Sequence, residues 1–371
     1  MQRRGSVMTM LLLAASIPGC AAVGPLADAV PPPQALRARL DREAPGWLAR
    51  HGVPSVAVAY IADGQVAWIS VHGEQSPGVR ATPRTLYNVA SLTKPVSAEL
   101  VLRLASGGAL SLDEAMSPHW VDPGVKEDPR HRLLTPRLCL SHQCGFTNWR
   151  YQTQGKLAFQ WQPGTRTGYS GEGYDYIGRF LEHKLDRPFE TLAQEVVFDP
   201  IGMRESAYTR RDWFEGRMAV PKGPEGETEH PVQSSWTAAD LMRSTIGDYA
   251  RFVVAVMRDE GIDPALAAQR MRSTRNLPTA EQVRQLCAKA AVEDDDCHAR
   301  GGMGLGWEVL ELDGRTLVDH SGSDWGVRTL AFFDPKRRTG AVVFTNGDNG
   351  QAVIREAVAL LYPYPLFIAT L

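Results

Sequence analysis

Neither sign of charge dominates this sequence: 40 Lys and Arg residues stand against 42 Asp and Glu. No basic face or run stands out, which removes the usual footing for a nucleic-acid partner. Long apolar runs are missing too. The one candidate, within MQRRGSVMTMLLLAASIPGC, is too short to span a bilayer as a helix. No repeat period or low-complexity tract appears, so repeat architectures are not expected. Cysteine is scarce, with five among 371 residues. Around Cys139, His142 and Cys144 no fourth metal ligand is evident, so neither a metal nor another cofactor is expected. What remains is an ordinary composition, 43% hydrophobic and 22% charged, able to bury one sizeable core or two joined lobes.

The N-terminus reads as an address. Arg3 and Arg4 precede the short apolar run, which ends in Gly19 and Cys20. Residues 1–20 resemble a bacterial lipoprotein signal, in which Cys20 becomes the lipidated first residue. Pro18 departs from that pattern, so plain secretion, to the periplasm or beyond, stands as the alternative. The Pro/Ala-rich stretch over 21–40 reads as a tether. Contact with a membrane is expected only through the lipid. Export also changes the meaning of the other four cysteines. They fall into two local pairs, Cys139 with Cys144 and Cys287 with Cys297, and in an oxidising compartment each pair can close a small loop.

Along the chain, VPSVAVAYIADGQVAWISVHG (53–73) alternates like a hairpin with ADGQ as its turn. The last third has the same style in GLGWEVLEL, RTLVDHSG, VRTLAFFD and TGAVVFTNG, followed by a helix in QAVIREAVALLY. Residues from about 90 to 300 are helical and loop-rich. This order predicts an α+β fold with one sheet built from both chain ends, flanked by helices, and an inserted, mainly helical lobe. The boundaries expected are 41–90 with 300–365 for the mixed lobe and 91–299 for the helical one, together a single domain over 41–365. The acidic run in EDDDCHAR (293–300) reads as a solvated loop. Trp161, Trp236 and Trp325 read as core, and Asp113 and Glu114 as a helix-start pair.

Chemistry concentrates in YNVASLTKP (87–95). Ser91 and Lys94 are three apart, so on a helix they share a face and their polar atoms can meet. A serine hydroxyl is a weak nucleophile until a neighbour takes its proton, and lysine can do so once burial lowers its pKa. Pro95 is tolerated if the helix starts near Ser91, because first-turn N–H groups have no intrahelical partner. There the helix dipole and the N–H of Ser91 favour a developing oxyanion.

The surrounding TLYNVASLTKPVSAELVLRLASGGALSLDEAM resembles the nucleophile segment of the serine β-lactamase-like hydrolases. The resemblance is to the branch holding class C β-lactamases, D-alanyl-D-alanine carboxypeptidases and related esterases. It continues in order through LTPRLCLSHQCGF, WQPGTRTGYSGEGYDYIGRFLE, VFDPIGMRESAY, STIGDYARFVVAVM, GMGLGWEV and VDHSGSDWG, covering about residues 45 to 360. It implies that Ser91 is acylated, that Lys94 is its proton partner, and that Tyr169 shuttles the proton to the leaving group. It implies further that His320 orients the substrate and that the strand edge at Ser321, Gly322 and Ser323 supplies a second oxyanion donor. The substrate implied is a small ester, a peptide or a cell-wall fragment.

One position departs. After Tyr169 and Ser170 the family usually carries Asn, and here Gly171 stands instead. Glycine has no side chain with which to donate or accept a hydrogen bond. Weak or absent β-lactamase activity is therefore expected, with weight moved to an esterase and then to a carboxypeptidase. The competing expectation is a non-catalytic binding lipoprotein on the same scaffold.

Overall fold

Two stretches far apart in sequence meet as neighbouring strands, and that meeting organises the molecule. In the computed structural model, which describes residues 31–371 apart from 225, 228–233, 274–278 and 293–296, the main sheet has eight antiparallel strands. They are β1 (Ser55–Ala62), β2 (Gln65–Ser76), β3 (Val79–Arg80), β4 (Ala299–Met303), β5 (Glu308–Leu312), β6 (Arg315–Asp324), β7 (Val327–Asp334) and β8 (Thr339–Thr345). Their order is β3-β2-β1-β8-β7-β6-β5-β4, so β1 and β8 join the chain's two ends with Val56 opposite Thr345. The Asp63-Gly64 and Asp313-Gly314 turns both take positive φ, the geometry of tight two-residue hairpins.

Strand alternation sends side chains into two cores. Val56, Val58 and Tyr60 of β1 join Leu330 and Phe332 of β7 against helices α1 (Pro33–His51) and α5 (Gly350–Leu361). Ala57, Ala59 and Ile61 join Ala331 and Phe333 on the other face, against α2 (Thr93–Ser106) and α4 (Ile246–Met257). Covering both faces explains why SVAVAYIA and AVVF read as nearly continuous apolar runs. The helical lobe contributes α3 (Gly171–Leu185), with Tyr174, Ile177, Phe180 and Leu181 buried.

Some expectations need correction. The stretch read as a tether to residue 40 is helical from Pro33 onward. Proline costs nothing at the first helical position, and Leu36, Leu40, Ala44, Trp47 and Leu48 share one buried face. Cys287 and Cys297 form a disulfide, whereas Cys139 and Cys144 are buried free thiols. The interval between those two is taken up by the end of the short helix Pro136–Leu140 and by His142 at φ 56°, and the thiols hydrogen-bond one another. Asp113 and Glu114 do not start a helix. Asp113 accepts two hydrogen bonds from Arg137, at 2.7 and 2.8 Å, and Glu114 pairs with Lys184 at 2.9 Å. Cys20 and the four acidic residues at 293–296 lie outside the described residues.

Candidate active site

Ser91 sits in a tight turn, Ala90–Leu92, that leads directly into α2. Ala90 holds φ at 49°, a conformation that costs an L-residue about 1–2 kcal/mol. Surrounding side chains hold it there. Asn88 Oδ1 accepts from the N–H of Ala90 at 2.9 Å, and Thr93 Oγ1 donates to the Ala90 carbonyl at 2.7 Å. Thr329 Oγ1 donates to the Val89 carbonyl at 2.9 Å, and the Tyr249 hydroxyl donates to that of Leu92 at 2.7 Å. Pro95 falls at the third helical position, where no intrahelical bond is lost.

Lys94 is fully buried. Its Nζ lies 3.0 Å from Ser91 Oγ and donates to the Ala239 carbonyl at 2.8 Å. Burial lowers its pKa to about 8, against the opposing pull of Asp240 and Asp175. The Ala239 carbonyl is itself held in place. Asp175 on α3 accepts from Thr237 Oγ1 and from the Ala238 N–H, each at 2.8 Å. Burial pushes Asp175 and Asp240 up to about 6, so both are ionised at neutral pH.

Three aromatic rings surround the amine: Tyr169 at 4.8 Å, Trp149 at 5.7 Å and Tyr174 at 6.0 Å from their centroids. Tyr169 hydrogen-bonds Ser91, but burial outweighs that bond and raises its pKa. It is therefore a neutral phenol at rest, and the amine is the available base. His142 stacks on Tyr169 at 4.3 Å, with its Nδ1 accepting from the N–H of Ser170 at 3.0 Å. Burial, with Lys94 and His320 nearby, keeps it uncharged.

His320 lies on the other side of Tyr169, ring to ring at 6.1 Å. Its Nδ1 donates to the Ser321 carbonyl at 2.7 Å, and burial, helped by Lys94, drops its pKa to about 3. Nε2 is then a buried acceptor with no partner among the described residues. Beyond the Glu308–Asp319 pair β6 runs on without β5, so one edge of residues 320–324 has no strand partner among the described residues. Gly322 lets that edge close on the nucleophile turn: a Cβ there would stand 2.7 Å from the Val89 carbonyl oxygen and collide with Thr329 Oγ1.

Ser91, Lys94, Tyr169 and His320 thus lie side by side, and Gly322 closes on the turn that carries Ser91. His142, Trp149, Asp175 and Asp240 were not expected there. Trp149 was foreshadowed only indirectly, because a glycine where a side chain is usual leaves room for a neighbour to fill.

A sheet closed from both chain ends, beside a helical lobe, with a serine–lysine–tyrosine cluster between them, defines a serine hydrolase of the β-lactamase type. The chain matches the family model described as beta-lactamase over residues 34–362, and it belongs to that family. It is 23% identical to penicillin-binding protein 4 of Amycolatopsis lactamdurans, covering 80% of this chain and 82% of that one. It is also 23% identical to the D-alanyl-D-alanine-carboxypeptidase/endopeptidase AmpH of Escherichia coli K12, over 92% of this chain and 91% of the other. Among solved structures it resembles the octameric penicillin-binding protein homologue from Pyrococcus abyssi, with TM-score 0.72, 20% identity and coverage of 89% and 78%. The D-alanine carboxypeptidase AmpC from Burkholderia cenocepacia gives TM-score 0.69 and 20% identity, with coverage of 89% and 99%.

Proposed function

We propose that the protein is an exported serine esterase working through a Ser91 acyl-enzyme. The observation that carries this reading is the 3.0 Å approach of a fully buried lysine amine to a serine hydroxyl at a helix start. In its neutral form Lys94 takes the proton of Ser91 as Oγ attacks the ester carbonyl. The N–H of Ser91 and one from the strand edge at Ser321, Gly322 and Ser323 receive the oxyanion. As the C–O bond breaks, the proton passes from Lys94 through the Tyr169 phenol to the departing alkoxide. Water then attacks the acyl-enzyme, giving up its proton by the same route in reverse, and the carboxylic acid leaves Ser91 protonated.

Two features favour an ester over a peptide ending in a carboxylate. Gly171 offers no side-chain amide. His320 is uncharged at neutral pH, with its only N–H already committed to Ser321, so it presents an acceptor and no cation. The likeness to AmpH keeps carboxypeptidase action on a cell-wall fragment as the second reading. The Cys287–Cys297 disulfide supports an oxidising compartment, consistent with a signal at 1–20 and lipidation at Cys20. A fluorophosphonate probe tests the reading: it labels wild type and spares Ser91→Ala. Equal labelling of the two refutes it.

A further inference from the structure

The room beside Gly171 is filled. A Cβ on Gly171 would stand 2.6, 2.7 and 2.9 Å from three atoms of the six-membered ring of Trp149. The same indole lies 5.7 Å from Lys94 Nζ. An aromatic surface, half-buried and facing the catalytic amine, therefore occupies the place from which the usual amide would project.

Both neighbours of Trp149 are tied to the start of α3. The Asn148 carbonyl accepts from the N–H groups of Gly171 and Glu172 at 3.0 and 3.1 Å, and Asn148 Oδ1 accepts from Gly171 at 2.9 Å. Arg150 donates to the buried Glu172 carboxylate from its backbone N–H at 2.8 Å and from its guanidinium at 2.9 and 2.6 Å. Asp122 adds a further contact at 3.2 Å. This set fixes the backbone on either side of the indole.

We propose that Trp149 determines which acyl groups the enzyme accepts. It replaces an amide-binding contact with apolar surface, so alkyl or aryl acyl chains pack there. The N–H and C=O of an acylamino group would lose water and gain no partner. This deepens the esterase reading and rests on it.

The test compares kcat/KM for p-nitrophenyl butyrate with that for the p-nitrophenyl ester of N-acetylglycine, which share a leaving group and differ at the acyl chain. Wild type favours the butyrate by about tenfold or more, the range that a single polar contact commands. Trp149→Ala and Trp149→Phe both lower that ratio, and Trp149→Ala combined with Gly171→Asn lowers it furthest. Gly171→Asn alone meets the indole and loses activity on both esters. A ratio unmoved within about twofold in all the Trp149 variants, with Ser91 still labelled by fluorophosphonate, overturns the role of Trp149 and leaves the hydrolase standing. Absence of labelling in wild type overturns both.

Discussion

Replacing Lys94 by methionine tests whether this lysine is a base at rest, through stability alone. Burial takes its pKa from 10.5 to about 8. At 1.36 kcal/mol per unit, the folded protein holds the protonated form at a cost of about 3 kcal/mol. The sign follows from proton counting. Below about pH 8 the amine is charged in both states and the full cost is present. Between 8 and 10.5 the unfolded chain binds the proton and the folded one does not, so stability rises with pH. Above 10.5 both forms are neutral and the cost is gone. Methionine has nearly the same reach and no titration. It forfeits the contacts to Ser91 and the Ala239 carbonyl, a loss of about 1–3 kcal/mol that varies little with pH. Urea unfolding of both proteins from pH 7 to pH 11 isolates the titration. The variant gains about 3 kcal/mol relative to wild type on going from pH 11 down to pH 7. A difference flat within about 0.5 kcal/mol would mean that the amine keeps its ordinary pKa and cannot serve as base at neutral pH.

Other outcomes follow from the same geometry. Gly322→Ala pushes β6 away from the nucleophile turn and lowers kcat/KM for p-nitrophenyl esters by about tenfold or more, while far-UV circular dichroism stays unchanged. Asp319, directly opposite Glu308 and buried, has a raised pKa through burial and then through its neighbour. Its cost appears as pH climbs above the ordinary carboxyl range, so Asp319→Asn raises Tm at pH 8 and leaves it unchanged near pH 4. Reducing the Cys287–Cys297 bridge, or replacing both cysteines by serine, frees a loop of sequence separation 10 and costs about 3 kcal/mol in chemical unfolding.

Much of the architecture was legible because it rests on local signals. The short apolar, β-branched run SVAVAYIA, the Asp-Gly turns and the helical spacing of the closing helix each name their element directly. Ser91 and Lys94 were legible for the same reason, since three-residue spacing on a helix is a local fact. The parts that stayed hidden depend on contacts distant in sequence. Asp175 acts on Lys94 through a carbonyl at Ala239, and Trp149 meets Gly171 at the start of α3. No periodicity announces such pairs. The Cys139 and Cys144 expectation failed differently. Proximity in sequence is necessary for a small loop, but a helix end and the left-handed turn at His142 decide how the sulfurs meet. The helix over 33–40 was masked by the run Pro31-Pro32-Pro33, of which the first two precede the helix and the third takes its first position, where a proline does no harm.

The mechanism turns on an uncharged Lys94 removing the proton of Ser91. Rapid-quench acylation by p-nitrophenyl acetate, followed by intact mass and peptide mapping from pH 6 to pH 10, addresses it directly. One acetyl group is expected on Ser91, formed at a rate that climbs tenfold per pH unit at first and levels off near pH 8. An adduct on any other residue, or a Ser91 adduct whose rate does not change with pH, would rule out Lys94 as the base.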